Sequence, residues 1–407
     1  MSAENEFAAV LRMVSQLPAV SDHDHHMPDI AFREPMGLDR LFGASYVAWM
    51  GFVPGDRQAR SRALDALRFN SYFTWMERGI QQVHGVGEEI TDESWERVDA
   101  LVASHYAADQ DLHWKALVEN GFERLILDTY WNPGDDNGHP EVFAPTFRID
   151  KFMYGVHAEA VAPDDFVPWE RYGFSGGTLD DFVELMRQTV RERHAQGRTV
   201  ALKCAEAYNR DLDFVPDDAE AARRAFGAHP DSLGPEQWRA FSNFMFNRAC
   251  ELAAELGIPF QVHTGLAQLR GSNPMLLIPV LERHPRTRFV LFHSGYPWTQ
   301  EVGALAHNYA NVCPSLTWTA TICTAAAVRT LHDYIDVARS ANTITWGSDC
   351  WVPEESVGAL LAWRYIVARV LSERLGDGRL TAAGADVLAR KLLFGNGRSL
   401  YGLPETG

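Results

Sequence analysis

Two histidines one residue apart, His23 and His25, stand just past a short apolar run. On a strand that spacing turns both imidazoles to the same side, within reach of one ion. Neutral imidazole is a ligand for zinc and similar divalent metals. Three more polar residues stand where apolar runs stop: His263 after Pro-Phe-Gln-Val, His293 after Phe-Val-Leu-Phe, and Asp349 after Trp-Gly-Ser. A shell of His23, His25, His263 and Asp349 offers three nitrogens and one oxygen, with room for a water whose pKa the metal lowers toward neutrality. His293, from the neighbouring run, can orient that water or accept its proton. Each signal has an ordinary reading beside the chemical one. A His-x-His alone is weak, a single buried histidine is usually satisfied by its surroundings, and Asp349 can cap the helix that Pro353 and Glu354 open. Polar residues at the ends of four such runs, in this order, are poorly explained as separate accidents.

The elements that must position them follow from the apolar pattern. Short β-rich runs occur at Val20–His25, Arg124–Asp128, Thr146–Ile149, Thr199–Lys203, Pro259–His263, Phe289–His293, Asn311–Ser315 and Thr343–Trp346. Between them lie amphipathic stretches such as Leu179–Gln196, Pro235–Leu256, Pro274–His284, Glu301–Tyr309 and Ala325–Ala338. Alternating strands and helices imply βαβ units and a parallel sheet. Eight units predict an α/β fold, a closed (β/α)8 TIM barrel, with a doubly wound sheet as the competing architecture. All strand ends of such a barrel share one face, so residues distant in sequence can converge there. Residues 31–120 carry no strand run and read as helical. In a single barrel domain spanning 1–407 they form a large insertion after strand one, expected to cap the site and help choose the substrate. An extra helical layer that only packs is the plainer alternative.

Composition narrows the function classes. The 407 residues carry a net charge of −17 and 46% hydrophobic residues, the mix of a soluble globular protein with a large core. An acidic chain is a poor partner for nucleic acid or an anionic membrane, and no apolar run is long enough to span a bilayer. The N-terminal segment lacks the basic start and continuous apolar stretch of a signal peptide. Five cysteines without a Cys-x-x-Cys pair predict no disulfide framework and a cytoplasmic location. Cys204 and Cys350 read as small buried side chains, not nucleophiles.

These motifs resemble the amidohydrolase superfamily, in particular its amidohydrolase-2 group of metal-dependent TIM-barrel hydrolases and decarboxylases. The resemblance rests on His23-Asp24-His25, on Pro259 to Gly265, on Phe292 to Pro297, on Trp346 to Asp349, and on the closing stretch Leu393 to Gly402. Ala201 to Tyr208 is most similar to amidohydrolase domains associated with glutamine-synthetase-like proteins. The resemblance implies that His23, His25, His263 and Asp349 bind metal and that His293 assists or also ligates. One departure is visible: the family's usual Asp two residues before the first His is Ser21 here, with Asp22 and Asp24 flanking His23 and His26 adding a third imidazole.

The expected cofactor is one divalent metal, zinc by its donors, with manganese or iron fitting the same set. A second metal follows only if Lys203 is carboxylated and bridges two ions, a role that a strand-four Glu fills in some relatives, with Glu206 close by in this sequence. Otherwise the Lys203 ammonium anchors a substrate carboxylate. Arg148 is a second candidate anion anchor, or a salt bridge at the rim. Tyr208 and Arg210 follow the fourth strand and can line the pocket. Trp131, Trp298, Trp318 and Trp351 follow other strands and can supply apolar walls for substrate.

The leading expectation is a metal-dependent hydrolase of a small carboxylated amide, lactone or related compound. His293 would position or activate water and Asp349 would shuttle the proton to the leaving group. Non-oxidative decarboxylation is the runner-up, isomerisation of a sugar acid in the manner of uronate isomerases the third, and a non-catalytic scaffold the reading from a different class. The expected partner is a small-molecule substrate, and a homodimer is kept as an expectation for a barrel of this kind.

Overall fold

The computed structural model describes residues 3–52 and 55–404. Seven strands, β1 (Ala19–Asp24), β2 (Phe122–Leu127), β3 (Phe143–Arg148), β4 (Ala201–Cys204), β5 (Phe260–Val262), β6 (Phe289–Leu291) and β7 (Val312–Pro314), pair in chain order, all parallel. Parallel neighbours need a crossover between them, and long helices such as Leu179–Ala195 and Pro235–Leu256 supply it. Residues 345–350 close the ring. On one side Leu316 N–H donates to the Thr345 carbonyl and Trp318 N–H to the Gly347 carbonyl, at 2.9 and 3.0 Å. On the other, Asp22 N–H donates to Trp346, Asp349 N–H to His23 and His25 N–H to Cys350, each at 2.9 Å. The fold is the expected TIM barrel, with an eighth stave that starts two residues later than the sequence suggests. Residues Ala341–Thr343 wind a 3₁₀ turn, because Ser340 Oγ accepts from Asn342 N–H at 3.1 Å and Asn396 Nδ2 donates to the Ala341 and Ile344 carbonyls at 2.7 Å.

Alternation along the strands sorts the core. Leu125, Leu127, Leu202, Phe260, Val262, Phe289 and Leu291 pack outward beneath the helices. Val20, Ile126, Ala144, Ala201, Val290 and Cys313 form a smaller inner cluster, joined by Leu400 and Tyr401 of the last helix, Asn396–Tyr401.

Between β1 and β2 the described residues form helices and no strand, from the 3₁₀ turn Asp29–Phe32 to the helix Leu112–Glu119. This region has its own apolar cluster, in which Phe42 stacks on Phe73 and on Trp95 with centroids 5.7 Å apart. It is bolted to the helix Pro353–Gly376, which follows the eighth stave. Helix Ser71–His84 crosses that helix so closely that a Cβ at Gly79 would lie 1.8 Å from the Glu354 carbonyl oxygen, and one at Gly358 2.1 Å from that of Trp75. Glu354 Oε1 lies 2.8 Å from His84 Nε2 and accepts from the Tyr106 hydroxyl at 2.8 Å, and Glu355 Oε1 accepts from Tyr46 N–H at 2.8 Å. No described helix is long and apolar enough to cross a membrane. The five cysteines are free.

Candidate metal centre

The barrel brings the N-terminal and C-terminal motifs together. Asp349 Oδ1 lies 3.4 Å from Nε2 of His23 and 3.4 Å from Nε2 of His25. The three ligand atoms all lie within 4.8 Å of one another. Donors about 2.1 Å from a tetrahedral ion are about 3.4 Å apart, so the spacing fits a divalent metal. His25 Nδ1 is 2.8 Å from the Asp128 carbonyl. A proton on that nitrogen leaves the Nε2 lone pair free for the ion, a common arrangement of metal-binding histidines. His23 Nδ1 is buried without a hydrogen-bond partner among the described residues. Burial, reinforced by the Lys203 charge, holds His23 well below the ordinary imidazole pKa and keeps it in the neutral, ligating form. Ser21, at the position where the resemblance expects Asp, reaches the His23 carbonyl at 3.2 Å and leaves the His23 Nδ1 without a partner among the described residues. Its Oγ donates to Asp24 Oδ2 at 2.5 Å and accepts from Ser348 N–H at 3.0 Å.

His263 and His293 form a pair beside this trio. His293 Nε2 and His263 Nδ1 are 2.9 Å apart. His263 Nε2 is 2.8 Å from the Leu266 carbonyl, and His293 Nδ1 is 3.2 Å from that of Thr317. Each carbonyl requires a proton on the nitrogen it faces, and the contact between the rings requires a third. Two neutral rings carry two. The pair therefore has a place for one more proton, while burial opposes the charge and keeps both rings neutral until a proton is delivered. Both His263 nitrogens are engaged, so the converging donors are His23, His25 and Asp349, with His263 in the wall of the same cavity. His293 Nδ1 lies 3.8 Å from Asp349 Oδ2.

A cavity of about 270 Å³ opens above the trio. Lys203 reaches it from β4 with Nζ 3.4 Å from His23 Nε2 and 4.0 Å from the Phe292 ring centroid. Burial lowers its pKa to about 8, partly offset by Asp128. Arg148, from β3, also lines the cavity but is bound to Asp128, with Nε 3.1 Å from Oδ2 and Nη2 in still closer contact. Burial alone would raise the Asp128 carboxyl; Arg148 and neighbouring positive charge outweigh it and hold it below the usual range. Glu206 lines the cavity with the Tyr154 hydroxyl 3.1 Å from Oε1, and burial raises its pKa. Tyr208 faces the His263 ring at 4.5 Å. Arg210 points elsewhere, donating to the Asp213 carbonyl at 2.8 Å.

Of the four tryptophans singled out by the sequence, Trp351 lines the cavity and stacks on His25 at 5.3 Å. Trp318 is buried behind it, stacked on Tyr46 at 4.6 Å and edge-on to His293. Trp131 sits against Tyr130, which takes the wall position, and Trp298 stands at the start of the helix Thr299–Asn308. The sequence reading missed Asp128, although it ends a strand run as the other site residues do. It also missed Tyr46 and Trp49, which the helical region contributes to the cavity wall. No spacing rule marks those two, because helix packing and not chain order brings them over the barrel.

The strand ends are conformationally costly. His293, Ser294, Trp318 and Asp349 all sit at positive φ, between 52° and 65°. Such residues cost roughly 1–3 kcal/mol each and persist where the surroundings over-determine them, typically at functional sites.

Comparison with known proteins agrees with this architecture. The profile of the family described as Amidohydrolase matches residues 176–403. Protein fluG of Emericella nidulans is 32% identical over 244 residues, which are 56% of this chain and 28% of that protein. The chain thus spans less than a third of that relative's length. Among solved structures, a uronate isomerase from Thermotoga maritima superposes with a TM-score of 0.78 at 17% identity, covering 98% of this chain and 97% of its own. A glucuronate isomerase from Caulobacter crescentus gives 0.76 at 16% identity, covering 100% and 95%. A protein described as a metal-dependent hydrolase from Lactobacillus casei gives 0.71 at 17% identity, covering 97% of each. At these identities the likeness establishes the shared barrel.

Proposed function

The chain belongs to the amidohydrolase family, a metal-dependent family, and from that premise we propose that it hydrolyses a small carboxylated amide, lactone or related compound. The observation that carries this reading is the convergence of His23, His25 and Asp349 on the floor of a cavity that also presents Lys203 and Arg148. A divalent ion there, zinc by its donors with manganese or iron(II) fitting the same set, would polarise a substrate carbonyl and lower the pKa of water.

The remaining work belongs to the protein's own groups. The Lys203 ammonium, which has no carboxylate within ion-pair distance among the described residues, is free to anchor a substrate carboxylate. Arg148 is held in place by Asp128, so it offers its cavity-facing edge as a fixed guide. The His263–His293 pair takes up the proton released by the attacking water. Asp349 Oδ2, beside His293, returns a proton to the leaving group. Tyr46, Trp49 and Trp351 shape an aromatic wall against the substrate body. A carboxylated Lys203 holding a second ion is the competing use of that side chain. Five free cysteines favour a reducing compartment, and we propose the cytoplasm.

Isomerisation of a sugar acid is the second reading. It is favoured by the likeness of two uronate and glucuronate isomerases over essentially the whole chain, the helical region included. Product analysis in heavy-oxygen water separates the possibilities. Hydrolysis incorporates solvent oxygen into product, isomerisation conserves mass, and release of carbon dioxide would replace both with decarboxylation.

A further inference from the structure

We propose that Asp29, His113 and His139 form a second divalent-cation site that staples the neck of the helical region between β1 and β2. Asp29 lies in the 3₁₀ turn that leaves β1, His113 in the helix Leu112–Glu119 that leads into β2, and His139 in the loop between β2 and β3. Nε2 of His113 is 3.0 Å from Asp29 Oδ1, and Nε2 of His139 is 2.8 Å from the same oxygen. One ion held by the three would join the beginning and end of the helical region to the next barrel loop.

The proton count points to a cation. His113 Nδ1 is 3.2 Å from the Gln110 carbonyl, a contact that requires a proton on Nδ1. Its Nε2 faces a carboxylate oxygen, which would require a second. The ring is stacked on Phe32 at 4.3 Å with its side chain 4% exposed, an environment that disfavours a doubly protonated imidazole. With a metal present one proton suffices: Nδ1–H donates to the carbonyl and the Nε2 lone pair binds the ion. His139 is oriented similarly, Nδ1 lying 3.6 Å from Glu141 Oε1 and the ring lying 5.2 Å from Trp114.

Two imidazoles and one carboxylate suit zinc, and the Asp29 side chain, 41% exposed, leaves an open side for water. The ligand atoms are closer than the roughly 3.4 Å of a tetrahedral ion. The exposed Asp29 side chain can retreat to that distance. None of the three lines the central cavity, so the role is structural.

The test counts metal in the full-length chain after chelator stripping and reloading with zinc, by elemental mass spectrometry. His139→Gln and Asp29→Asn should each bind one equivalent fewer than the parent and keep its turnover. Asp349→Ala loaded with cobalt(II) should retain visible d–d absorption, which disappears when His139→Gln is added. Equal zinc content in the parent and His139→Gln overturns the proposal. A folded Asp349→Ala that binds no cobalt overturns it as well. Should Asp349→Ala fail to fold, the comparison of parent with His139→Gln decides alone, and neither outcome depends on the reaction assigned to the central cavity.

Discussion

The barrel and the neck of its helical region each hold a cluster of two histidines and one aspartate, and the two are built in contrasting ways. In the central one, ligands come from the end of β1, the residue just beyond it and the eighth stave, the Asp349 oxygen stands 3.4 Å from each histidine, and a cavity with two cationic side chains opens above them. In the outer one, ligands come from a turn, a helix and a loop, the donors touch at 2.8 and 3.0 Å, and aromatic rings flank them. A centre that performs chemistry has its donors held apart by the scaffold, with space left for substrate. A centre that fastens chain segments needs only to bring those segments together, with no space for substrate. Ligand type is shared; what distinguishes them is the kind of element that carries the ligands, barrel stave ends in one and a turn, a helix and a loop in the other.

The most damaging change to the central site should be Asp349→Ala. It is expected to remove the central metal and reduce turnover to background while the outer site stays loaded, as read by metal content and product formation. Turnover that survives would break the contrast. Next, Asp128→Asn should destabilise the fold by about 3–5 kcal/mol in urea unfolding, because it leaves the buried Arg148 charge without its partner. A zinc-binding outer site should raise stability by about 2.7 kcal/mol at a hundred times its Kd, measured in Asp349→Ala and abolished by adding His139→Gln. A smaller effect is expected at the rim: Trp49→Ala should raise KM up to roughly tenfold with kcat nearly unchanged, the loss of one aromatic contact.

The last prediction concerns pH. Burial raises the Glu355 carboxyl to about 8, above its value of about 4.3 in the unfolded chain. Between those values the folded state holds a proton that the unfolded state has released, so stability falls as pH rises through the window. Glu355→Gln should flatten that decline in melting temperatures taken from about pH 5 to about pH 8. Asp24, raised in the same direction, keeps the slope from vanishing.

Much of the central site was legible because strand ends are. A polar residue that stops an apolar run is visible in one dimension, and the barrel fixes where it points. His23, His25, Lys203, His263, His293 and Asp349 were all found that way, and Asp128 could have been. The rest was hidden for physical reasons. Tyr46 and Trp49 reach the cavity through packing of the helical region, which the close crossing at Gly79 and Gly358 and the Tyr46 N–H bond to Glu355 dock on the helix after the eighth stave. Asp29, His113 and His139 share no spacing and end no strand. The eighth stave is expected at Thr343 to Trp346 because that run is β-prone, yet side-chain bonds from Ser340 and Asn396 hold Ala341–Thr343 in a 3₁₀ turn and the ladder begins at Thr345.

The closing of the ring has a consequence for how the protein comes into being. β1 leaves the ribosome before the other staves, and its partner on one side, residues 345–350, is synthesised more than 300 residues later. A nascent chain displays His23 and His25 long before Asp349 exists to complete the trio. The ion centre is therefore a late event in biosynthesis, available only when the last stave has joined the first. A chain truncated after β7 should expose the edges of an open sheet, with the aggregation hazard that such edges bring.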